Sequence, residues 1–175
     1  MFRLVVIFIS FALVGCSKTL VPKERTAIFP EEKVRDLLGL CLRPPEGVTG
    51  FWTPEKNDLK GIEDHLEEYL ASVQAKRVEH SKEGSDWTGY YRQIGGIIQH
   101  GERMIFISYA WAPWMKNPQI EAERKKEAEK SGRRYAPDWW KSQSISVNDG
   151  GSMFFRVIYD LKRKQFVWYD QNGDA

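Results

Sequence analysis

Apolar residues recur at helical spacing twice in the first half of the chain, and the pattern then changes to the denser alternation of strands. From Glu31 onward, Val34, Leu37, Leu38, Cys41 and Leu42 share one helical face, and Pro44-Pro45 stops the pattern. A clearer stripe follows Phe51-Trp52. Thr53 is suited to cap it, and Pro54 suits a first helical position, where its missing N–H leaves nothing unpaired. Leu59, Ile62, Leu66, Tyr69, Leu70 and Val73 line one side, with Glu55, Lys56, Lys60, Asp64, Glu67 and Glu68 mainly elsewhere. Two helices are predicted, each with an apolar face that must be covered.

After a polar linker at residues 78–86, residues 87–99 read as a strand carrying Tyr90, Tyr91, Ile94, Ile97 and Ile98. Gly95-Gly96 within it predicts a bulge or a close backbone approach. Gln99-His100-Gly101-Glu102 reads as a hairpin turn, with a return strand over residues 103–111. Strands are also predicted at 144–147, 153–159 and 165–169, with turns at 148–151 and 160–164. The expected fold is α+β, with one or two N-terminal helices packed on one face of a four- to five-stranded antiparallel meander.

Residues 116–141 interrupt the strands with charge. Asn117-Pro118 can start a helix, the Glu121/Lys125 pair has exposed helical spacing, and few apolar residues precede Tyr135, so a solvated insertion is predicted.

The first 16 residues read as processing rather than folding. Arg3 precedes an apolar run from Leu4 to Val14, 11 residues long, whereas a bilayer-spanning helix needs about 20. The run ends in Leu13-Val14-Gly15-Cys16, which resembles a bacterial lipobox. That resemblance implies diacylation of the Cys16 sulfur, cleavage before it and acylation of the new amine. Each lipid methylene contributes about 0.8 kcal/mol, so two or three palmitate-like chains hold far more firmly than one. The predicted organisation is a signal at 1–15, a lipidated tether at 16–30 and a single domain at 31–175. Ser17 after the acylated position favours the outer membrane if the host is Gram-negative.

Cysteine usage fits this organisation. Cys41 is the only other cysteine, so a lipidated Cys16 leaves no intramolecular disulfide, and Cys41 reads as a small buried hydrophobe. Lys and Arg number 26 against 24 Asp and Glu, and removing Arg3 with the signal leaves 25 against 24. That balance gives no basis for nucleic-acid binding. No zinc-type Cys/His cluster, Walker loop or Gly-x-Ser-x-Gly elbow occurs, and no cofactor is expected. Asp170, Asn172 and Asp174 have the alternation that opens a calcium loop, but no bidentate acid follows them.

Phe51-Trp52-Thr53-Pro54 with Leu66 and Tyr69-Leu70, Tyr91-Arg92-Gln93-Ile94, Arg103 with Ile105 and Ile107, Asp149-Gly150-Gly151, Phe155 with Tyr159-Asp160, and Asn172-Gly173-Asp174-Ala175 form a set of blocks. Together they resemble a group of uncharacterised bacterial secreted proteins and lipoproteins over residues 50–175. The resemblance implies export and carries no catalytic residue. Residues 116–141 are longer than the group's usual loop.

Among polar residues, Arg92 lies in a strand between aromatics, where a buried charge needs a partner; Asp149 or Asp160 is the expected acceptor, and the alternative is a pocket in which Arg92 binds an anionic group of a ligand. Asp149-Gly150-Gly151 is explained by turn chemistry or by a crude anion site. His65, His80 and His100 fall on a helix, a linker and a turn. Trp111, Trp114, Trp139 and Trp140 flank the insertion and form either an exposed binding patch or a satellite core. The leading expectation is a non-enzymatic, membrane-tethered binding domain for an envelope protein or cell-wall partner. The alternatives are an envelope hydrolase using Asp149 or Asp160 with Arg92, and an inhibitor or immunity protein.

Overall fold

A computed structural model describes residues 25–74 and 89–173. The chain forms an α+β domain around a six-stranded mixed sheet. Its centre is the antiparallel meander of β3 (Tyr90–Gln99), β4 (Glu102–Trp111), β5 (Phe154–Asp160) and β6 (Gln165–Gln171). The β3–β4 turn has two residues, His100 and Gly101, at φ 50° and 80°, the left-handed pair that a tight hairpin needs.

Two further strands line the outer edge of β3. β1 (Thr26–Ile28) runs parallel to its first half, and β2 (Val48–Trp52) runs antiparallel to its second half. The sheet is therefore not purely antiparallel. The expected tether at 16–30 is also corrected, because β1 and the buried Phe29 belong to the domain.

Strand alternation divides the core in two. Ile97, Phe106, Phe154 and Ile158 face α1 (Glu31–Leu38), which contributes Val34 and Leu37. Ile94, Ile105, Ile107, Val157 and Phe166 face α2 (Leu66–Gln74) and the short 3-10 turn Ile62–His65 before it, which contribute Ile62, Leu66 and Leu70. The helices thus cover both sheet faces rather than one. Among the described residues, no helix is long and apolar enough to cross a membrane.

Helix boundaries differ from the periodicity for local reasons. α1 ends before Gly39, and Leu42 is left 63% exposed. The helix expected from Pro54 begins only after Gly61, whose φ of +73° interrupts the stripe. Before it, Asp58 accepts the N–H of Glu55 in a turn of its own. Gly95 and Gly96 are close approaches and not a bulge, since β3 pairs with β4 without interruption. A Cβ at Gly95 would lie 2.6 Å from Val34 on one face, and a Cβ at Gly96 would lie 2.4 Å from Trp52 on the other.

The strand expected at 144–147 is absent, because side chains satisfy backbone groups there. The Gln93 amide accepts the Ile145 N–H at 2.9 Å and donates to the Gln143 carbonyl at 2.7 Å, and Asn172 donates to the Val147 carbonyl at 2.6 Å. The charged insertion forms α3 (Ala112–Met115) just before it and α4 (Pro118–Lys130) within it, and α4 buries no residue.

Candidate functional site

Arg92 is buried on the α2 face of the sheet, and its partner is Glu63, not Asp149 or Asp160. Its Nε donates to the Glu63 carboxylate, Nη1 donates to the Tyr90 carbonyl at 3.1 Å, and the guanidinium lies 5.3 Å from the Tyr109 ring centre. The Tyr109 hydroxyl donates to the same Glu63 oxygen at 3.1 Å. Burial, then the Glu63 charge, push Tyr109 well above an ordinary phenol. Tyr109 stays protonated as a donor, and the trio is an internal tie between α2 and the sheet.

The expected hydrolase constellation does not assemble. Asp160 closes the turn at the far end of β5, accepting the N–H groups of Lys162 and Arg163 at 2.9 Å each and pairing with the Arg163 guanidinium at 2.8 Å. Arg92 sits near the opposite end, one strand beyond Tyr109 and Phe155, and on the other face. The Asp149 side chain is exposed, and only its carbonyl is engaged, accepting from Asn172 at 3.1 Å. His65 and His100 are exposed, and His80 lies outside the described residues.

On the α1 face a polar row crosses four strands in register, Gln93, Ser108, Arg156 and Asp170, and all four are buried. Arg156 donates to Asn172 Oδ1 at 2.7 Å and pairs with Asp170 at 3.6 Å, while Asp170 accepts the Leu42 N–H at 3.0 Å. Asp170 and Asn172 are therefore spent inside the protein, and Asp174 lies outside the described residues. No group of three metal-ligating side chains occurs among the described residues. Cys41 borders this row, half-buried, and burial raises its thiol to about 12, which leaves it un-ionised and a poor nucleophile.

The four tryptophans do not form one patch. Trp111 packs on the α2 face, whereas Trp114, Trp139 and Trp140 pack on the α1 face. Trp140 is 5% exposed, with its edge against Tyr91 at 4.8 Å, and Trp114 meets Phe154 edge-on at 4.9 Å. These two rings are satellite core. Trp139 is half-buried and differs in lining a groove.

That groove, about 230 Å³, runs under α4; Tyr91, Tyr135, Trp139 and Trp140 wall it, and Lys116 and Arg124 line it together with one acid, Glu121, which pairs with Lys125. Its shape follows from how the insertion turns. Asn117 caps α4 by accepting the Gln119 N–H at 2.9 Å, and Pro118 occupies the first turn. Gly132, at φ +67°, reverses the chain and carries Tyr135 and Trp139 back beneath the helix. Arg124 then lies 4.3 Å over Trp139, and Lys125 lies 5.3 Å over Tyr135. Such solvent-exposed contacts are weak, and α4 buries no residue, so the helix is held lightly. A second hollow of about 90 Å³ shares Arg124, Tyr135 and Trp139 and adds Arg133 and Arg134.

Aromatic walls with a cationic rim suit a ligand that offers apolar or ring surface beside an anionic group. Sequence reading identified Trp139 but missed Tyr91, Tyr135 and Arg124 as its neighbours. The available signal was two aromatic clusters, at 90–91 and 135–140, flanking the insertion.

Cys16, the expected lipidation site, lies outside the described residues. Compared with family models, curated proteins and solved structures, the chain matches none of them.

Proposed function

We propose that this chain is a lipid-anchored protein of a bacterial cell envelope whose domain is a non-enzymatic binding module. Acylation at Cys16 supplies the anchor, and Ser17 directs it to the outer membrane in a Gram-negative host. The resemblance to exported bacterial proteins supports the compartment. The groove beneath α4 is the binding surface, and the observation that carries this reading is the convergence there of Tyr91, Tyr135 and Trp139 with Arg124 and Lys116. Arg92 and Asp160 are committed to internal partners, and the rings and cations of the groove face a cavity open to an external ligand.

Two measurements test the reading. Labelled palmitate enters the wild-type chain and not Cys16→Ala; equal labelling of both would remove the anchor. In-cell crosslinking of the tagged full-length protein captures an envelope component, and Tyr135→Ala with Trp139→Ala abolishes the capture; a capture that survives both substitutions would move the binding surface elsewhere. An envelope enzyme as the captured component would specialise the function to that of an inhibitor or immunity protein.

A further inference from the structure

The position of the groove relative to the anchor determines what it meets first. β1 runs parallel to β3, so the chain enters the sheet at the end where β3 begins and where β4 hands over to α3. Arg25, the first described residue, lies 5.7 Å from the ring centre of Tyr91, which walls the groove. Eight residues lie between Cys16 and Arg25, nine Cα-to-Cα steps that reach at most about 30 Å when fully extended. On the anchor reading above, the mouth of the groove is therefore confined to within that distance of the acyl chains.

Charge is distributed to match. Residues 116–141 hold eight Lys or Arg against five Asp or Glu, while the rest of the chain holds 18 against 19. The positive balance of the chain thus resides in the insertion that forms the groove. It is densest from Arg124 to Arg134, where six cations face two acids; Arg124 pairs with Glu127 at 3.1 Å and Lys125 with Glu121 at 2.7 Å. Lys126, Lys130, Arg133 and Arg134 in that stretch are exposed. Half-buried Trp139 and Tyr135, rings that suit a membrane interface, sit beside them.

We infer that the basic rim of this insertion, beside the groove, docks onto anionic phospholipid headgroups of the membrane that carries the anchor, with headgroup phosphates taken by the exposed Arg133 and Arg134 of the adjoining hollow. The inference rests on the anchor proposed above: a basic stretch this short gains from headgroups only within about a Debye length, near 8 Å at physiological salt, and the tether confines the domain near enough to the surface for such contacts to recur. Lipid anchoring plus a basic patch then act as two membrane signals on one chain.

The test uses the full-length acylated protein reconstituted into vesicles of phosphatidylcholine alone or with added phosphatidylglycerol. Vesicle flotation reports anchoring, and hydrogen exchange read by mass spectrometry reports local contact. Expected is slowing of exchange across residues 118–141 by roughly threefold or more on the anionic vesicles, lost in Arg133→Ala with Arg134→Ala while flotation is unchanged. Equal exchange on the two vesicle types, with normal flotation, would overturn the headgroup contact and leave the groove to an acidic protein or polymer. Failure of the wild type to float would overturn the anchor, and the headgroup contact with it.

Discussion

The Thr53 hydroxyl accepts the N–H of Glu31 at 2.9 Å, so the residue whose position reads as the cap of the second helix closes the first turn of α1 instead. α1 needs this, because Pro30 occupies its N-cap position and offers no side-chain acceptor. Thr53→Ala is expected to cost about 1 kcal/mol in urea unfolding, and Thr53→Ser much less. Equal losses for the two variants would show that the methyl group, not the hydroxyl, matters at this position.

The Arg92–Glu63 pair should behave as a buried ion pair. Glu63→Ala removes the carboxylate to which the buried Arg92 Nε and the Tyr109 hydroxyl both donate and is expected to cost about 3 kcal/mol, while the double change Glu63→Leu with Arg92→Met recovers much of that loss. A double-mutant cycle on unfolding free energy checks it. Additive single losses would mean that the two side chains are not coupled in the folded protein.

Gly96 has no room for a methyl group beneath Trp52, whose indole Nε1 donates to the Ile97 carbonyl at 3.1 Å. Gly96→Ala is expected to destabilise by about 1–3 kcal/mol through overpacking and to shift the tryptophan emission. Trp52→Leu in the Gly96→Ala background should restore part of the loss, as seen in the thermal midpoint.

Asp160 gives a pH signature. Burial alone would raise its carboxyl, but the Arg163 N–H and guanidinium and the Lys162 N–H outweigh burial and hold it below its ordinary value. With the folded value lowered, the carboxylate contributes stability above the unfolded value, about 3.9, and that contribution is lost as pH falls through the lower folded value. Asp160→Asn should therefore be less stable than wild type at neutral pH, with the gap closing as pH falls below the unfolded value and through the lower folded one. A gap that persists unchanged in acid would place the effect in hydrogen-bond geometry instead.

Strongly alternating strands were legible in the sequence. Residues 90–99 and 102–111 form β3 and β4 as their pattern implied, and so does the two-residue turn between them. What escaped was structure without a period of its own. β1 is three residues long and exists only because β3 offers an open edge beside Arg92, Gln93 and Ile94. Ile145 has a strand-like neighbourhood, yet the buried amide of Gln93 claims its N–H. Glu63 reads as an ordinary helical surface acid until Gly61 delays the helix and places it against the sheet. Of the candidate site, Trp139 was legible as an aromatic beside a charged insertion, while Tyr91 joins it only through the fold.

Photocrosslinking in living cells tests whether the groove beneath α4 is the binding surface of the proposed membrane-tethered domain. A photoreactive phenylalanine analogue is placed at Tyr135, in the groove, or at Lys164, in the turn at the far end of the sheet. The account predicts a reproducible adduct with an envelope component, lipid or protein, from position 135 and none from position 164. Adducts from position 164 alone, or none from 135 in a chain that reaches the membrane, would contradict it.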